Sequence, residues 1–140
     1  MESHKSHCPI NLSLEIFGDK WSLVIIRDMM FGNKRSFKEL IDSHEKIATN
    51  ILSDRLLMLE REGIITKAKD PAHKLKFIYS LTKKGIDLLP ILTEIGAWGI
   101  KHLPFDEEKF KHAKKLVKGG KEMQKEVKQH LIKEHLDKKK

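Results

Sequence analysis

The only cysteine of the 140-residue chain, Cys8, stands in a short stretch whose residue types can do chemistry. His4 and His7 precede it, and imidazole and thiolate are common zinc ligands, but an obvious fourth ligand is missing, which disfavours a metal site. A thiol near the start of a helix and beside histidine or lysine is favoured as the reactive thiolate, which is typical of a redox sensor. A buried thiol with only a packing role is equally compatible with the sequence. We therefore expect no metal and no cofactor. Cys8 is either a redox sensor or a packing residue.

A second set of side chains can hydrogen-bond to DNA bases. Apolar residues recur at helical spacing from about Ala48 to Glu62, and placing Leu52 on the buried side turns the opposite face outward. Asparagine pairs with adenine through two hydrogen bonds, and serine can bond to most base edges. The base-reading candidates are Thr49, Asn50, Ser53 and Asp54.

Asp54 has a competing interpretation. A carboxylate that faces phosphates is unfavourable unless it accepts a hydrogen bond from cytosine or pairs with a cation. Arg55 and Lys46 are close in sequence, and we favour an intrahelical ion pair for Asp54.

Basic residues in a polar turn, in the same helix and in a predicted hairpin can bind phosphates. Such contacts position a protein on DNA without reading its sequence. The candidates are Lys34, Arg35, Arg55, Lys67, Lys69, His73, Lys74 and Lys76. The alternative for the hairpin is a solvated element that lysine keeps soluble.

The formal net charge is +8, and its distribution is uneven. Residues 104–140 hold 12 lysines and seven acidic residues, whereas residues 1–103 exceed neutrality by only three positive charges. An excess of basic over acidic residues permits nucleic-acid binding but does not establish it. No apolar run reaches the roughly 20 residues that span a bilayer, and the N-terminus has no apolar signal-peptide core, so we expect a cytoplasmic protein without membrane contact.

The pattern of apolar and polar residues predicts the elements that position these side chains: four helices, a hairpin and another helix. Helices are expected at residues 9–17, at 20–31 with Asp19 as N-cap, from a Ser36–Glu39 capping box to about residue 43, and at 48–62. Residues 63–70 and 76–82 predict two strands joined by a loop over "PAHKL". Two short helices before a basic hairpin indicate a winged helix-turn-helix, mainly helical with a small β-hairpin wing.

The helix predicted over residues 83–103 carries more apolar residues than one buried stripe needs. It therefore needs two partners, its own core and a second subunit, and Pro90 should bend it. Pro104 separates a domain of residues 1–104 from a basic, charged extension of residues 105–140. Segments 106–117 and 121–137 look helical around Gly119-Gly120, and the extension either packs as helices or forms a mobile arm.

Several motifs fall in the order found in one family. They are "CPI", "GDKWSLVIIRDMMFGNKRSFKEL", "ILSDRLLMLEREGII", "YSLTKKGIDLLPIL" and "AWG". Over about residues 8–103 the chain resembles the HxlR family of transcriptional regulators, which are related to the MarR group. Asp19 and Ser36 each extend a family motif by one residue, and Ala48 replaces the serine that usually opens the recognition helix.

The resemblance implies a homodimer that binds a palindromic operator in double-stranded DNA. The first and last core helices would form the dimer, and two recognition helices would enter successive major grooves about 34–36 Å apart. The interface candidates are Ile10, Leu12, Ile16, Leu88, Leu92, Ile95 and Trp98. In some members of the family the cysteine that matches Cys8 senses oxidants or electrophiles, and no other effector is indicated.

Two other functions compete with a sequence-specific regulator. One is a non-specific or architectural DNA-binding protein dominated by the basic wing and tail, and the other is a winged-helix module that binds proteins. The cationic turn and wing disfavour the second. An enzyme is not expected, because the sequence has no phosphate-binding glycine loop and no Gly-x-Ser-x-Gly motif.

Overall fold

The structure, a computed structural model, describes residues 6–137 and confirms the predicted fold class, helices with one two-stranded hairpin. In chain order the elements are α1 (Pro9–Phe17), α2 (Lys20–Phe31), α3 (Phe37–Ile41), α4 (Thr49–Arg61), β1 (Ile65–Asp70), β2 (His73–Leu81), α5 (Lys83–Ile86), α6 (Leu89–His102), α7 (Lys111–Lys118), α8 (Gly120–Leu131) and a π-helical turn (Ile132–Leu136). None of the helices within residues 6–137 is long and apolar enough to cross a membrane. The chain divides into two compact units, with the boundary between Tyr79 and Ser80.

In the first unit, α2 is the central helix and packs against α1, α3 and α4. Its Ile25, Ile26 and Met29 are buried, as the apolar pattern predicts. Asp19 is the N-cap of α2, where its carboxylate accepts hydrogen bonds from the backbone N–H groups of Trp21 and Ser22. The predicted start of this helix is therefore confirmed.

Local hydrogen bonds and a glycine determine where the helices of the helix-turn-helix begin and end. The Ser36–Glu39 capping box is present and starts α3, although this helix is shorter than predicted and ends at Ile41. Gly63 ends α4 with a φ of 76°, a conformation that a side chain would strain. The N–H of Ile64 then bonds to the carbonyl of Leu59 and directs the chain into β1.

A bidentate ion pair fixes the segment between α3 and α4. The Arg27 guanidinium of α2 donates to both carboxylate oxygens of Glu45, at 2.7 and 2.8 Å, and to Asp28 at 2.7 Å. The hydrogen bonds from Arg27 lower the pKa of Glu45 from 4.5 to about 2, although partial burial opposes the shift. Because Glu45 lies just before the recognition helix, this pair holds α4 in register with α2.

Replacing Glu45 by glutamine should reduce the free energy of unfolding at neutral pH. It should also make that free energy less dependent on pH in the acidic range. A lowered folded-state pKa stabilises the protein above about pH 4.5, and this stabilisation is lost as the pH falls toward about 2. We expect a loss of about 2 kcal/mol at pH 7 after solvent screening is allowed for, and almost none at pH 2. Urea unfolding at pH 7, 4.5 and 3 measures the loss of stability, with Glu126→Gln on the exposed side of α8 as control. Equal losses of wild-type and Glu45→Gln stability between pH 7 and 3 would contradict the assignment.

The hairpin has a tighter turn than predicted. The loop expected over residues 71–75 is only Pro71–Ala72, because the Asp70 carboxylate accepts from the Ala72 N–H at 2.9 Å and closes the turn. β2 therefore begins at His73 and carries three residues that were assigned to the loop.

The second unit contains the end of β2 and the helices that follow it. Instead of one helix bent at Pro90, α5 ends at Ile86 and α6 begins at Leu89. Pro90 lies in the first turn of α6, where its missing N–H breaks no helical hydrogen bond. The prediction of one continuous helix over residues 83–103 is thus wrong.

The residues after Pro104 form helices that pack against α6. The first of them is shorter than predicted, since α7 begins only at Lys111, whereas α8 and the π-helical turn together occupy nearly the whole of the second predicted range, 121–137. At the far end, His135 is 2% exposed and its Nδ1 accepts from the Leu81 N–H at 2.9 Å. The extension is therefore held to the end of β2.

Candidate nucleic-acid interface

The outer face of α4 carries the predicted base-reading side chains. Thr49, Asn50, Ser53 and Asp54 are exposed, whereas Leu52 is completely buried on the other side. The helical register deduced from the sequence is therefore that of the structure. Four polar side chains in the first half of one helix form a surface that can reach base edges in a major groove.

The N-terminus of α4 has no side-chain cap. Ala48 is the N-cap and makes no side-chain hydrogen bond, and Thr49 is the first helical residue. The first backbone N–H groups of this 13-residue helix thus keep their donor capacity, and the helix dipole places positive potential there. Such an end is suited to a phosphate beside the groove.

The two charged residues of this face are already paired with each other. Arg55 donates to the Asp54 carboxylate at 2.5 Å, which is the intrahelical ion pair that the sequence favours. Arg55 also lies 3.3 Å from Asp19, and these acidic partners raise its pKa. Because Arg55 contacts two carboxylates, binding a phosphate would require it to exchange a partner.

The turn before α3 holds Lys34 and Arg35 by internal contacts. The Lys34 ammonium donates to the Asp42 carbonyl at 2.5 Å and lies 3.5 Å from the Asp28 carboxylate. The Arg35 Nε donates to the Tyr79 carbonyl at 2.7 Å and so ties the turn to β2. Both residues thus have structural roles beside any contact with phosphate.

The wing presents a cluster of exposed basic side chains. Lys67, Lys69, His73, Lys74 and Lys76 are all exposed. None of the four lysines forms a salt bridge with any residue between positions 6 and 137, although Lys67 covers the ring of Phe77 at 4.4 Å. A hairpin with this charge is suited to a phosphate backbone.

Leu75 is a candidate that sequence reasoning missed. It is 98% exposed on β2, between Lys74 and Lys76. It shares one strand face with Phe77 and Tyr79. The signal in the sequence was an apolar residue between two lysines, ahead of the buried end of the strand. Apolar side chains in this position can enter a minor groove.

The predicted interface residues differ in exposure. Ile10, Ile95 and Trp98 are exposed, at 71, 53 and 60%, and Leu88 is buried within the chain. Leu12, Ile16 and Leu92 are half-buried. Two exposed residues that were not predicted, Leu14 and Ile91, lie one helical turn from Ile10 and Ile95 respectively.

Cys8 is exposed and stands at the N-cap of α1. The backbone N–H groups of Asn11 and Ile10, at the start of α1, lower the pKa of its thiol. His4, the possible metal ligand, lies outside the described residues. Within residues 6–137 no group of three or more histidine, cysteine or acidic side chains is placed to hold a metal ion.

Known proteins with the same sequence pattern are regulators of transcription. The family described as HxlR-like helix-turn-helix matches residues 16–107. An uncharacterised HTH-type transcriptional regulator of Halalkalibacterium halodurans is 37% identical over 94 residues, which are 67% of this chain and 83% of the relative. The HTH-type transcriptional regulator YodB of Bacillus subtilis is 35% identical over 92 residues, 65% of this chain and 81% of YodB.

Solved structures agree with the sequence matches. The reduced form of YodB superposes with a TM-score of 0.57 at 30% identity, covering 69% of this chain and 95% of that one. The reduced form of the redox regulator HypR gives a TM-score of 0.59 at 29% identity and covers 67% of this chain and 92% of HypR. With the matched motifs and the winged helix-turn-helix in place, the chain belongs to the HxlR-like helix-turn-helix family.

Proposed function

We propose that the protein regulates transcription by binding a specific palindromic operator in double-stranded DNA as a homodimer, without catalysing a reaction. The observation that carries the proposal is the exposed polar first half of α4, which has an uncapped N-terminus and lies in the same unit as a wing with exposed lysines. The α4 side chains supply readout of bases, and the wing lysines supply contacts to phosphate. Such a regulator works in the cytoplasm, where the bacterial or archaeal chromosome is found.

The dimer part of the proposal rests on exposed apolar side chains. Ile91, Ile95 and Trp98 follow one another at helical spacing on α6, and Ile10 and Leu14 do so on α1. Exposed apolar rows of this kind mark interaction surfaces. A second copy of the same chain would cover them and relate the two α4 helices by a two-fold axis.

Selection of genomic DNA fragments by the purified protein tests this function. We expect enrichment of a palindrome whose half-sites are centred about 10 base pairs apart, bound at least about 10³-fold more tightly than random duplex. Equal affinity for all duplexes would favour the architectural alternative. No binding to any duplex would favour the protein-interaction module.

We further propose that oxidation of Cys8 controls DNA binding. The exposed thiol has a lowered pKa, and the relatives include a protein named a redox regulator. A change at the start of α1 can alter a dimer interface to which α1 contributes, and so the spacing of the recognition helices.

Cys8→Ser should abolish the response of operator binding to oxidant. Serine keeps the size of the side chain but cannot form a sulfenic acid or a disulfide. Operator affinity is measured before and after treatment with peroxide and after reduction with thiol. A full oxidant response in the serine variant would exclude Cys8 as the sensor, whereas loss of affinity before treatment would indicate a packing role.

A further inference from the structure

The helices α7 and α8 each carry a row of three exposed lysines with the same spacing. The row on α7 is Lys111, Lys115 and Lys118, and the row on α8 is Lys121, Lys125 and Lys128. Residues at positions i, i+4 and i+7 lie on one side of a helix, so each row is a continuous strip of positive charge. We call these six residues the lysine rows.

The lysine rows differ from an ordinary solvated helix face in their charge pattern. Solvated faces of highly charged helices usually alternate acidic and basic residues, which pair at i, i+4. α7 contains no acidic residue, and the acidic residues of α8, Glu122 and Glu126, lie beside its row and not within it. Like charges at i, i+4 disfavour a helix, so helix stability does not account for the arrangement.

The lysine rows make no ion pairs in the part of the chain that the structure describes. None of their six ammonium groups forms a salt bridge within the described range, whereas Lys114, which lies outside the rows, pairs with Glu107 at 3.2 Å. The charge of the rows is therefore available to a partner.

The lysine rows stand on a packed scaffold. α7 and α8 contact α6 and each other, and Leu116 and Val117 of α7 are half-buried. At the other end, Leu131 and His135 are buried, and His135 accepts a hydrogen bond from the end of β2. The lysines are therefore held on ordered helices.

We propose that the lysine rows are a second DNA-binding surface, which contacts phosphates of the duplex without reading their sequence. This inference rests on the proposed function, because it assumes that duplex DNA is the protein's partner. Seven residues of helix span about 10.5 Å, a length over which a duplex carries about six phosphate charges. Over the length of a row, a duplex therefore carries more phosphate charges than the row has lysines.

The segment that bears the rows is an addition to the shared family core. The family match ends at residue 107, and 69% of this chain covers 95% of YodB. A DNA contact made by the rows is thus additional to the contacts that α4 and the wing can make.

The same helices are poorly suited to a membrane surface. A basic helix that binds lipid buries an exposed apolar face between the head groups. The apolar residues of α7 and α8, such as Leu116 and Val127, are half-buried against the protein. This arrangement favours a rigid polyanion such as DNA as the occupant.

Salt-dependent DNA binding by the full-length protein tests the proposal. In one variant Lys111, Lys115 and Lys118 are replaced by glutamine, and in a second variant Lys121, Lys125 and Lys128 are replaced in the same way. The control replaces Lys83, Lys101 and Lys133, three exposed lysines outside the rows, so that all variants lose the same charge. Circular dichroism and thermal unfolding check that each variant is folded.

We expect each row variant to flatten the slope of log K against log salt by about 0.9 for each phosphate that the row no longer neutralises, up to about 2.7 per protomer. The ratio of operator to random-duplex affinity should stay unchanged, because the lysine rows read no sequence. A slope in the row variants equal to that of the control would overturn the proposal. So would an unchanged DNA slope together with abolished binding to vesicles containing phosphatidylserine, which would assign the rows to lipid.

The experiment separates this proposal from the function on which it rests. All slopes are measured on random duplex as well as on the selected operator. If the wild-type protein shows no preferred site but the row variants still flatten the slope on random duplex, the rows bind DNA and the specific-regulator function fails. If a preferred site exists and the slopes do not change, only the proposal for the rows fails.

Discussion

Replacement of Asp19 by alanine is expected to destabilise the protein by about 2–4 kcal/mol, mainly through its contacts with Ser22. The Asp19 carboxylate accepts from the backbone N–H groups of Trp21 and Ser22, each at 2.9 Å, and from the Ser22 hydroxyl at 2.6 Å. Ser22 is completely buried, so alanine at position 19 would leave its hydroxyl without this acceptor. The N-cap contributes about 1 kcal/mol and the stranded hydroxyl about 1–3 kcal/mol.

The surroundings of the Asp19 carboxylate favour its ionised form. Partial burial alone would raise its pKa, but hydrogen bonds from Ser22 and the nearby Arg55 guanidinium outweigh it, and the pKa is lowered. Arg55 belongs to α4, at 3.3 Å from Asp19. The same carboxylate therefore caps α2 and contacts the recognition helix.

Asp19→Asn is the matched control for Asp19→Ala. Asparagine caps helices as well as aspartate does: its oxygen can accept from the Trp21 and Ser22 N–H groups, and its amide can donate to the Ser22 hydroxyl. This variant therefore loses chiefly the half-buried ion pair with Arg55, a cost of about 1 kcal/mol or less. The free energies of unfolding in urea should thus fall in the order wild type, Asp19→Asn, Asp19→Ala. Equal losses in the two variants would show that charge, and not hydrogen bonding to Ser22, is what Asp19 contributes.

Caps and apolar stripes could be predicted from the sequence because they depend on neighbouring residues. Asp19 and Ser36 start their helices through hydrogen bonds to residues two or three positions ahead. The buried side of α4 follows from helical geometry around Leu52. The exposed face that contains Asn50 follows from the same geometry.

Features that depend on distant parts of the chain could not be predicted. Lys34 looks like a free cation in the sequence, and only the fold brings Asp42 and Asp28 to it. The pairing of Arg55 with Asp54 is local, but its contact with Asp19 also depends on the fold. His135 stands in a lysine-rich segment, and its burial requires the Leu81 N–H from 54 residues away.

Pro90 shows a different limit. A proline inside an apolar run predicts a kinked helix, because proline has no N–H to donate. When a new helix begins one residue before the proline, that N–H is not needed and no helical hydrogen bond is lost. The choice between the two depends on the packing of residues 86–89, which are buried except for Asp87.

Asn50→Ala is expected to weaken operator binding by about 5- to 150-fold, the loss of about 1–3 kcal/mol that one bidentate base contact contributes. The side chain is exposed in the first turn of α4, so its removal should leave the free energy of unfolding within about 0.5 kcal/mol of the wild type. Affinity for operators with every base substituted in turn should show reduced discrimination at one base pair per half-site.

A comparison with Lys74→Gln separates base reading from phosphate binding. Loss of the exposed wing lysine should weaken binding to all duplexes alike and flatten the salt slope by about 0.9, whereas loss of the neutral Asn50 side chain should leave the slope unchanged. Gln129→Ala, which removes an exposed amide from α8, should change neither affinity nor slope. If Asn50→Ala weakened operator and random duplex equally, α4 would contact the backbone through this residue, and the reading of bases would have to rest on Thr49 and Ser53.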